Sequence, residues 1–179
     1  MGVSNLNFLL LSSGVDKVAV LYNRKTGKKI GNLTGHSKKV TTVLFHPTQE
    51  AVLTGSADKT VRLWTGTNAG YDTSYRVRTH TGEVTGVDLH SSGDYFVSSS
   101  LDETWGFHDV RTGSTLLHVQ NAKATALNCI KFHPDGLLVG TGTSDSLIRL
   151  WDVKEKGKNV VSFSGHKGKV NSISFSENG

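Results

Sequence analysis

An aspartate recurs along this chain with a nearly constant spacing. The four copies, separated by 42, 44 and 43 residues, are Asp16, Asp58, Asp102 and Asp145. Each is followed six positions later by an aromatic residue or a histidine: Tyr22, Trp64, His108 and Trp151. A second marker ends a run of alternating apolar residues and repeats in step, at Phe45, Leu89, Phe132 and Phe175. Two markers that share one period indicate an array of one repeated structural unit.

The unit itself is typical of a small antiparallel β-sheet. In residues 35–78, short segments with period-two alternation are separated by turn residues such as Pro47, and no long segment has a helical period. A period near 43 residues is typical of a β-propeller blade, so the predicted fold is all-β. The predicted blades are a partial blade over 1–34 (strands b to d), complete blades over 35–78, 79–121 and 122–164, and a first strand over 165–179.

The number of blades predicts that the chain is a piece of a longer protein. A propeller ring closes with roughly 4–8 blades, commonly seven for this repeat type, and seven such units need roughly 300 residues. The chain has 179 residues, which is enough for about four blades.

Composition limits the kind of function. Cys129 is the only cysteine, which excludes an internal disulfide and predicts a reducing compartment. No Cys/His cluster has the spacing of a zinc site, so we expect no metal and no other cofactor. The apolar stretch over residues 5–11 is too short to cross a membrane, so we expect no membrane association. The net charge of +5 permits an acidic partner, either nucleic acid or protein, although the basic residues are scattered.

Polar residues that resemble a catalytic group recur with the period. In the unit over 35–78, the fold can bring together His36, Thr54, Asp58 and Trp64, and a hydroxyl, an imidazole and a carboxylate in one place resemble a nucleophile, a base and an orienting group. Repetition argues against catalysis, because an enzyme needs one active site and not one in each blade. The other copies are incomplete: His80, Ser98 and Asp102 with His108 in place of Trp; Thr141, Asp145 and Trp151 with Lys123 in the histidine position; and Ser12, Asp16 and Tyr22.

The characteristic residues of the unit resemble those of the WD repeat. They are Gly35-His36 followed by Trp64, then Trp151-Asp152 and Gly165-His166, and the resemblance covers essentially the whole chain. It implies a β-propeller that binds partners. It also implies that the recurring His, Thr or Ser, Asp and Trp form a buried hydrogen-bond network, the tetrad, which stabilises each blade.

A narrower resemblance is to the C-terminal propeller of the pre-mRNA-processing factor 19 family. The segments GHSKKVTTVLFHP, HSSGDYFVSSSLDETWGFHDVRTG and FHPDGLLVGTGTSDSLIRLWDVKE carry it, and Trp105-Gly106-Phe107 is their least generic part. This resemblance implies that the parent protein is a nuclear U-box ubiquitin ligase that acts in splicing and DNA-damage signalling. The cytosol is the alternative location. Its U-box and its tetramer-forming coiled coil have no counterpart here, so we expect no ligase activity from this chain alone.

The resemblance also implies where a partner would bind. By analogy with other WD propellers, partner-facing side chains lie three and five residues after the loop histidine, on one face of the propeller. The candidates are Lys39, Thr41, Glu83, Thr85, Asn128, Lys169 and Asn171. They include no aromatic platform of the kind that single-stranded nucleic acid requires, which favours protein partners, such as spliceosomal proteins or ubiquitination substrates, over RNA. The alternatives are a generic WD scaffold of another assembly and a basic RNA-contacting surface.

Overall fold

The computed structural model describes residues 9–68, 70–121 and 123–177 as an array of β-sheets. These residues form 15 strands and no helix. The bounds are β1 Leu9–Ser13, β2 Val18–Asn23, β3 Lys29–Thr34, β4 Val40–Phe45, β5 Ala51–Ser56, β6 Val61–Thr67, β7 Gly70–Val77, β8 Val84–Leu89, β9 Tyr95–Ser100, β10 Thr104–Asp109, β11 Thr115–Gln120, β12 Leu127–Phe132, β13 Leu138–Thr143, β14 Ile148–Asp152 and β15 Lys158–Phe163.

Each sheet is a meander of strands that are consecutive in sequence. One three-stranded sheet, in the order β1-β2-β3, is followed by three four-stranded sheets, β4 to β7, β8 to β11 and β12 to β15. We call them the first to the fourth blade. All pairings are antiparallel, with Leu53 opposite Leu63 in the second blade and Phe107 opposite Val97 in the third. The predicted all-β fold, built of antiparallel propeller blades, is therefore confirmed.

The recurring aspartates stand at the turn between the second and third strands of the repeat. The residue after each one has a left-handed backbone, with φ of 71° at Lys17, 73° at Lys59, 72° at Glu103 and 69° at Ser146. In two of these turns the aspartate Oδ1 accepts the backbone N–H two residues later, Thr60 at 3.1 Å and Thr104 at 3.1 Å. This local hydrogen bond is the one with which Asp favours turns, and it explains why the residue recurs there.

The apolar core lies between neighbouring blades. Leu53 of the second blade packs with Val84, Val87 and Phe96 of the third blade, and each of the four is at most 4% exposed. Burial of a side chain of this size contributes about 1.5–3 kcal/mol. The strands β5 and β9 are buried along nearly their whole length, whereas every residue of β15 is exposed. Each of the three buried apolar clusters joins residues of two neighbouring blades.

A periodic set of polar side chains also joins one blade to the next. Three side chains, on the second residues of β4, β8 and β12, each donate to the backbone carbonyl that begins the first strand of the next blade or, for β12, to that of Val170. The bonds are Thr41 Oγ1 to Val84 O at 2.6 Å, Thr85 Oγ1 to Leu127 O at 2.7 Å and Asn128 Nδ2 to Val170 O at 3.1 Å. We refer to these three as the seam hydrogen bonds.

The structure departs from the predicted strand at the end of the chain. The segment 170–175 belongs to no sheet, although the Val170 N–H donates to Thr143 O at 3.0 Å and its side chain is buried. Ile173 and Phe175 lie against the backbone of Gly140 in the fourth blade. In this repeat a first strand pairs with the second strand of its own blade, and none of the described residues after 175 forms a strand. The segment contacts the fourth blade through the backbone of Val170 and through side chains, and it forms no β-ladder.

Candidate functional site

The second blade contains the complete tetrad as one chain of hydrogen bonds. The Trp64 indole N–H donates to Thr54 Oγ1 at 2.9 Å, Thr54 Oγ1 lies 2.7 Å from His36 Nε2, and His36 Nδ1 lies 2.8 Å from Asp58 Oδ2. A carboxylate only accepts, so Nδ1 carries the proton, and Nε2 of the neutral ring accepts from the Thr54 hydroxyl. Every donor in the chain then has an acceptor.

The pKa shifts favour this arrangement of protons. Burial lowers the pKa of His36 by more than the neighbouring Asp58 raises it, so the ring is neutral. Burial alone would raise the pKa of Asp58, but the hydrogen bonds from Thr60, His36 and the Ser37 backbone outweigh it and lower that pKa. A neutral imidazole beside an ionised aspartate is what the hydrogen-bond chain requires.

Access decides between the catalytic and the structural interpretation. A nucleophile must be reached by its substrate, and Thr54 is 0% exposed, as are the equivalent Ser98 and Thr141. The Thr54 hydroxyl also has both a donor and an acceptor within its own blade. The geometry therefore supports a network that rigidifies the blade, since buried polar groups do so when all are satisfied.

The third blade forms the same chain with a histidine in place of tryptophan. His80 Nε2 lies 2.7 Å from Ser98 Oγ, and Ser98 Oγ lies 2.8 Å from His108 Nε2. At its other end, His80 Nδ1 lies 2.9 Å from Thr104 Oγ1, whose hydroxyl donates to Asp102 Oδ1 at 2.6 Å. His108 stands where Trp64 stands in the second blade, so its Nε2–H replaces the indole N–H as the donor.

The tautomer and charge of His108 follow from its surroundings. If Nε2 donates to Ser98, Nδ1 must accept, and Thr115 Oγ1 lies 3.1 Å away to donate to it. Burial lowers the pKa of His108 to about 3, with further lowering by His80 and His118, and Phe96 stacks on its ring at 4.5 Å. His108 is therefore a neutral, buried donor.

The fourth blade uses an arginine that sequence reasoning missed. The Trp151 indole N–H donates to Thr141 Oγ1 at 2.8 Å, but no loop histidine joins this pair to Asp145. Arg149, which is 3% exposed, donates instead to Asp145 Oδ2 at 2.6 Å and to Thr143 Oγ1 at 3.1 Å. This hydrogen bond lowers the pKa of Asp145 to about 2. Lys123, predicted to occupy the histidine position, is exposed.

The residues predicted for the first blade are not brought together. Among the described residues, no side-chain hydrogen bond joins Ser12, Asp16 and Tyr22, and the Asp16 side chain is exposed. Residues 1–8, which precede β1, lie outside the described part of the chain. No described residue donates a side-chain hydrogen bond to the carboxylate of Asp16, which the structure leaves exposed.

The structure divides the predicted partner-binding residues into three groups. Thr41, Thr85 and Asn128 are half-buried, and their polar atoms are engaged in the seam hydrogen bonds. Lys39 and Glu83 form an ion pair between the second and third blades, with Nζ and Oε1 2.7 Å apart. The remaining two candidates, Lys169 and Asn171, are exposed. Of the seven candidates, only Lys169 and Asn171 are exposed and form no side-chain hydrogen bond or ion pair with a described residue.

The histidines that follow β4 and β8 lie at the opposite end of the seams. His46 Nε2 lies 2.8 Å from Gly93 O in the turn of the next blade, and the His90 ring lies against Gly136 at the corresponding place of the fourth blade. Among the described residues, no three His, Cys, Asp or Glu side chains are grouped as a metal site would need. The described part of the chain also has no helix that could cross a membrane.

Comparison with known proteins agrees with the repeat and the sheets. The WD domain, G-beta repeat family matches residues 27–65, 72–109, 114–152 and 157–179. Pre-mRNA-processing factor 19 homolog 2 of Arabidopsis thaliana is 47% identical over 181 residues, covering 100% of this chain and 34% of that protein. Pre-mRNA-processing factor 19 of Homo sapiens is 46% identical over 167 residues, covering 93% and 32%, and that of Dictyostelium discoideum is 33% identical, covering 97% and 35%.

The extent of these matches defines what they establish. The chain spans about a third of the length of the curated relatives it matches. The matched family segments include the second, third and fourth blades, whose buried hydroxyls on Thr54, Ser98 and Thr141 are described above. Sequence, sheet topology and site geometry lead to the same conclusion: this chain belongs to the WD-repeat family.

Proposed function

We propose that this chain is the partner-binding propeller region of a nuclear scaffold protein that acts in pre-mRNA processing. The observation that carries the proposal is the 46–47% identity to pre-mRNA-processing factor 19 proteins over nearly the whole chain. The buried hydroxyls support a binding role, because they are closed to substrates and recur, with substituted partners, in the second, third and fourth blades. A rigid array of blades presents its exposed, non-repeating side chains to protein partners.

The same resemblance supports a more specific assignment. The protein that contains this propeller would be a U-box ubiquitin ligase acting in splicing and in the response to DNA damage, tetrameric through a coiled coil. In that assignment the U-box recruits the ubiquitin-conjugating enzyme, and the propeller binds substrates and spliceosomal proteins. The chain described here contributes recognition and no chemistry.

A chimera tests the proposal. The aligned segment of the human pre-mRNA-processing factor 19 is replaced by this chain, and the chimera is expressed in human cells depleted of the endogenous factor. We expect it to restore splicing of a reporter transcript. The control chimera carries a WD-repeat segment of equal length from an unrelated protein and should not restore splicing. A chimera that accumulates normally in the nucleus but leaves splicing defective would contradict the proposal.

The finer assignment needs separate measurements on the same chimera. Ubiquitination activity in immunoprecipitates and survival after DNA damage should both return to the level of the unmodified factor. If splicing returns and these two do not, the propeller serves the splicing role alone, and the ligase and damage roles require features that this chain lacks.

A further inference from the structure

Four cations lie together at one edge of the second blade. Lys59 is in the turn after Asp58, Arg62 is on β6, and Arg76 and Arg78 are at the end of β7 and just beyond it. Arg62 pairs directly with Arg76 across the antiparallel ladder, which places both side chains on the same face of the sheet. We call these four residues the basic cluster.

The repeat shows that the basic cluster is specific to one blade. The residue after the recurring aspartate is a lysine in the first two blades, Lys17 and Lys59, but Glu103 in the third and Ser146 in the fourth, so the four cations occur together in the second blade alone. The strand pair Arg62–Arg76 corresponds to Gly106–His118 in the third blade, to Arg149–Ser162 in the fourth and to Val20–Asn32 in the first. The position of Arg78 is taken by Gln120, Ser164 and Thr34. The backbone of the repeat therefore does not require cations at these positions.

The charges of the basic cluster are not balanced within the described structure. No described carboxylate forms an ion pair with Lys59, Arg62, Arg76 or Arg78, although Lys39, Lys131 and Arg149 each have one. Like charges directly opposite each other on two strands are destabilising. The Arg62 guanidinium donates to Gly35 O at 2.7 Å, but its Nε is buried and has no partner among the described residues. A bound anion would balance the positive charges of the basic cluster and reduce their repulsion.

A pocket lies beside these cations. It has a volume of about 260 Å³ and is lined by Lys59, Arg76 and Arg78 together with Ser37, Asp58, Thr60 and His80. Asp58 is the only acidic residue among the described residues that line it, and its two oxygens already accept hydrogen bonds from His36, Ser37 and Thr60. The pocket thus has room for a side chain and an excess of positive charge.

We propose that the basic cluster binds an acidic segment of a partner protein, with one carboxylate or phosphate side chain in the pocket. The proposal rests on the binding role proposed above and adds the place and the charge of the partner. An acidic protein segment fits better than RNA, because His80 is the only aromatic ring among the described residues that line the pocket and it is buried, as is Trp64 under Arg62, so neither ring offers a face on which a base could stack. Arginine pairs with carboxylates and phosphates in a bidentate way, which suits the pair Arg76 and Arg78.

Charge reversal with a matched control tests the basic cluster. The probes are a fluorescein-labelled peptide of alternating glutamate and serine, its phosphoserine version, and a labelled uridine oligonucleotide, and binding to the full chain is measured by fluorescence anisotropy. We expect Arg76→Glu with Arg78→Glu to weaken peptide binding by about tenfold or more, since two attractive contacts become repulsive. Lys28→Glu with Lys29→Glu changes the net charge equally on the first blade and should leave peptide affinity within about twofold.

Each outcome has a defined meaning. Loss of peptide binding in the Arg76/Arg78 variant alone supports the proposal, and the stronger of the two acidic peptides identifies the anion as carboxylate or phosphate. Equal loss in both variants would show that net charge alone attracts the peptide and would overturn it. Binding of the oligonucleotide without binding of either peptide would also overturn it, in favour of RNA. The milder Arg76→Gln with Arg78→Gln serves if the reversed variant does not fold, and it should weaken binding about threefold or more.

The test separates this proposal from the proposed function. If the chimera described above restores splicing with the reversed Arg76 and Arg78 as well as without them, the propeller is functional and the basic cluster is not its partner site. If the unmodified chimera fails while the peptide still binds this chain, the splicing assignment fails and the basic cluster remains an acidic-peptide site.

Discussion

Replacing Asp58 with alanine tests the tetrad most directly. Asp58 accepts hydrogen bonds from His36 Nδ1 at 2.8 Å, the Ser37 N–H at 3.0 Å and the Thr60 N–H and hydroxyl at 3.1 and 2.5 Å. Water can replace the bond to Ser37, which is near the surface. The Thr60 oxygen can approach His36 only at 3.5 Å, which is a poor substitute. One buried N–H is therefore left unsatisfied, which costs about 1–3 kcal/mol.

The chain supplies its own control for this variant. Asp16 has the same place in the repeat, but its side chain is exposed and accepts no side-chain hydrogen bond from a described residue. We expect Asp16→Ala to change the free energy of unfolding by less than about 0.5 kcal/mol. Urea denaturation followed by tryptophan fluorescence and circular dichroism measures both variants. If Asp58→Ala is no less stable than Asp16→Ala, the tetrad of the second blade does not stabilise it, and the reasoning fails.

Three further predictions concern the seams, the histidines and the fourth blade. Thr41→Val should cost about 1 kcal/mol in urea denaturation, because it removes the donor to Val84 O and keeps the side-chain shape. The pKa of His108 is about 3 in the folded chain and near 6.5 when unfolded, so the unfolded state gains its proton first as the pH falls. The free energy of unfolding should therefore fall as the pH drops from about 6.5 toward 3. In a pH series, His108→Gln should remove part of that fall. Arg149→Ala should destabilise by about 1–3 kcal/mol, and Lys123→His should recover part of the loss in a double-mutant cycle, since it restores the missing loop histidine.

Periodicity explains why the fold was predictable. The spacing of Asp58, Asp102 and Asp145 fixes the turns, and alternation of apolar residues between turns fixes which strand faces are buried. Both signals depend on neighbours in the sequence. The segment 170–175 shows the limit, because it has the pattern of a first strand but pairs with none. A strand needs its partner as well as its own residues.

The candidate site was predictable only where it repeats without substitution. The tetrad of the second blade follows from its four residue types and their spacing. In the fourth blade the role of the loop histidine is taken by Arg149, which lies on β14, 26 residues after the histidine position at Lys123. Its one signal in the sequence was that Asp145 lacked a loop histidine and therefore needed another donor. The seam role of Thr41 was equally hidden, because its acceptor is a backbone carbonyl of the next blade, which no residue type reveals.

Departures from the repeat are of two physical kinds, and the difference indicates where function lies. In the third and fourth blades a changed residue restores hydrogen bonds of the network: His108 donates in place of a tryptophan, and Arg149 holds Asp145 in place of a histidine. Leaving such a buried group unsatisfied would cost about 1–3 kcal/mol. At the edge of the second blade, Arg76 and Arg78 have no such compensation in the described structure. The acidic partner proposed above would balance the charges of these two arginines.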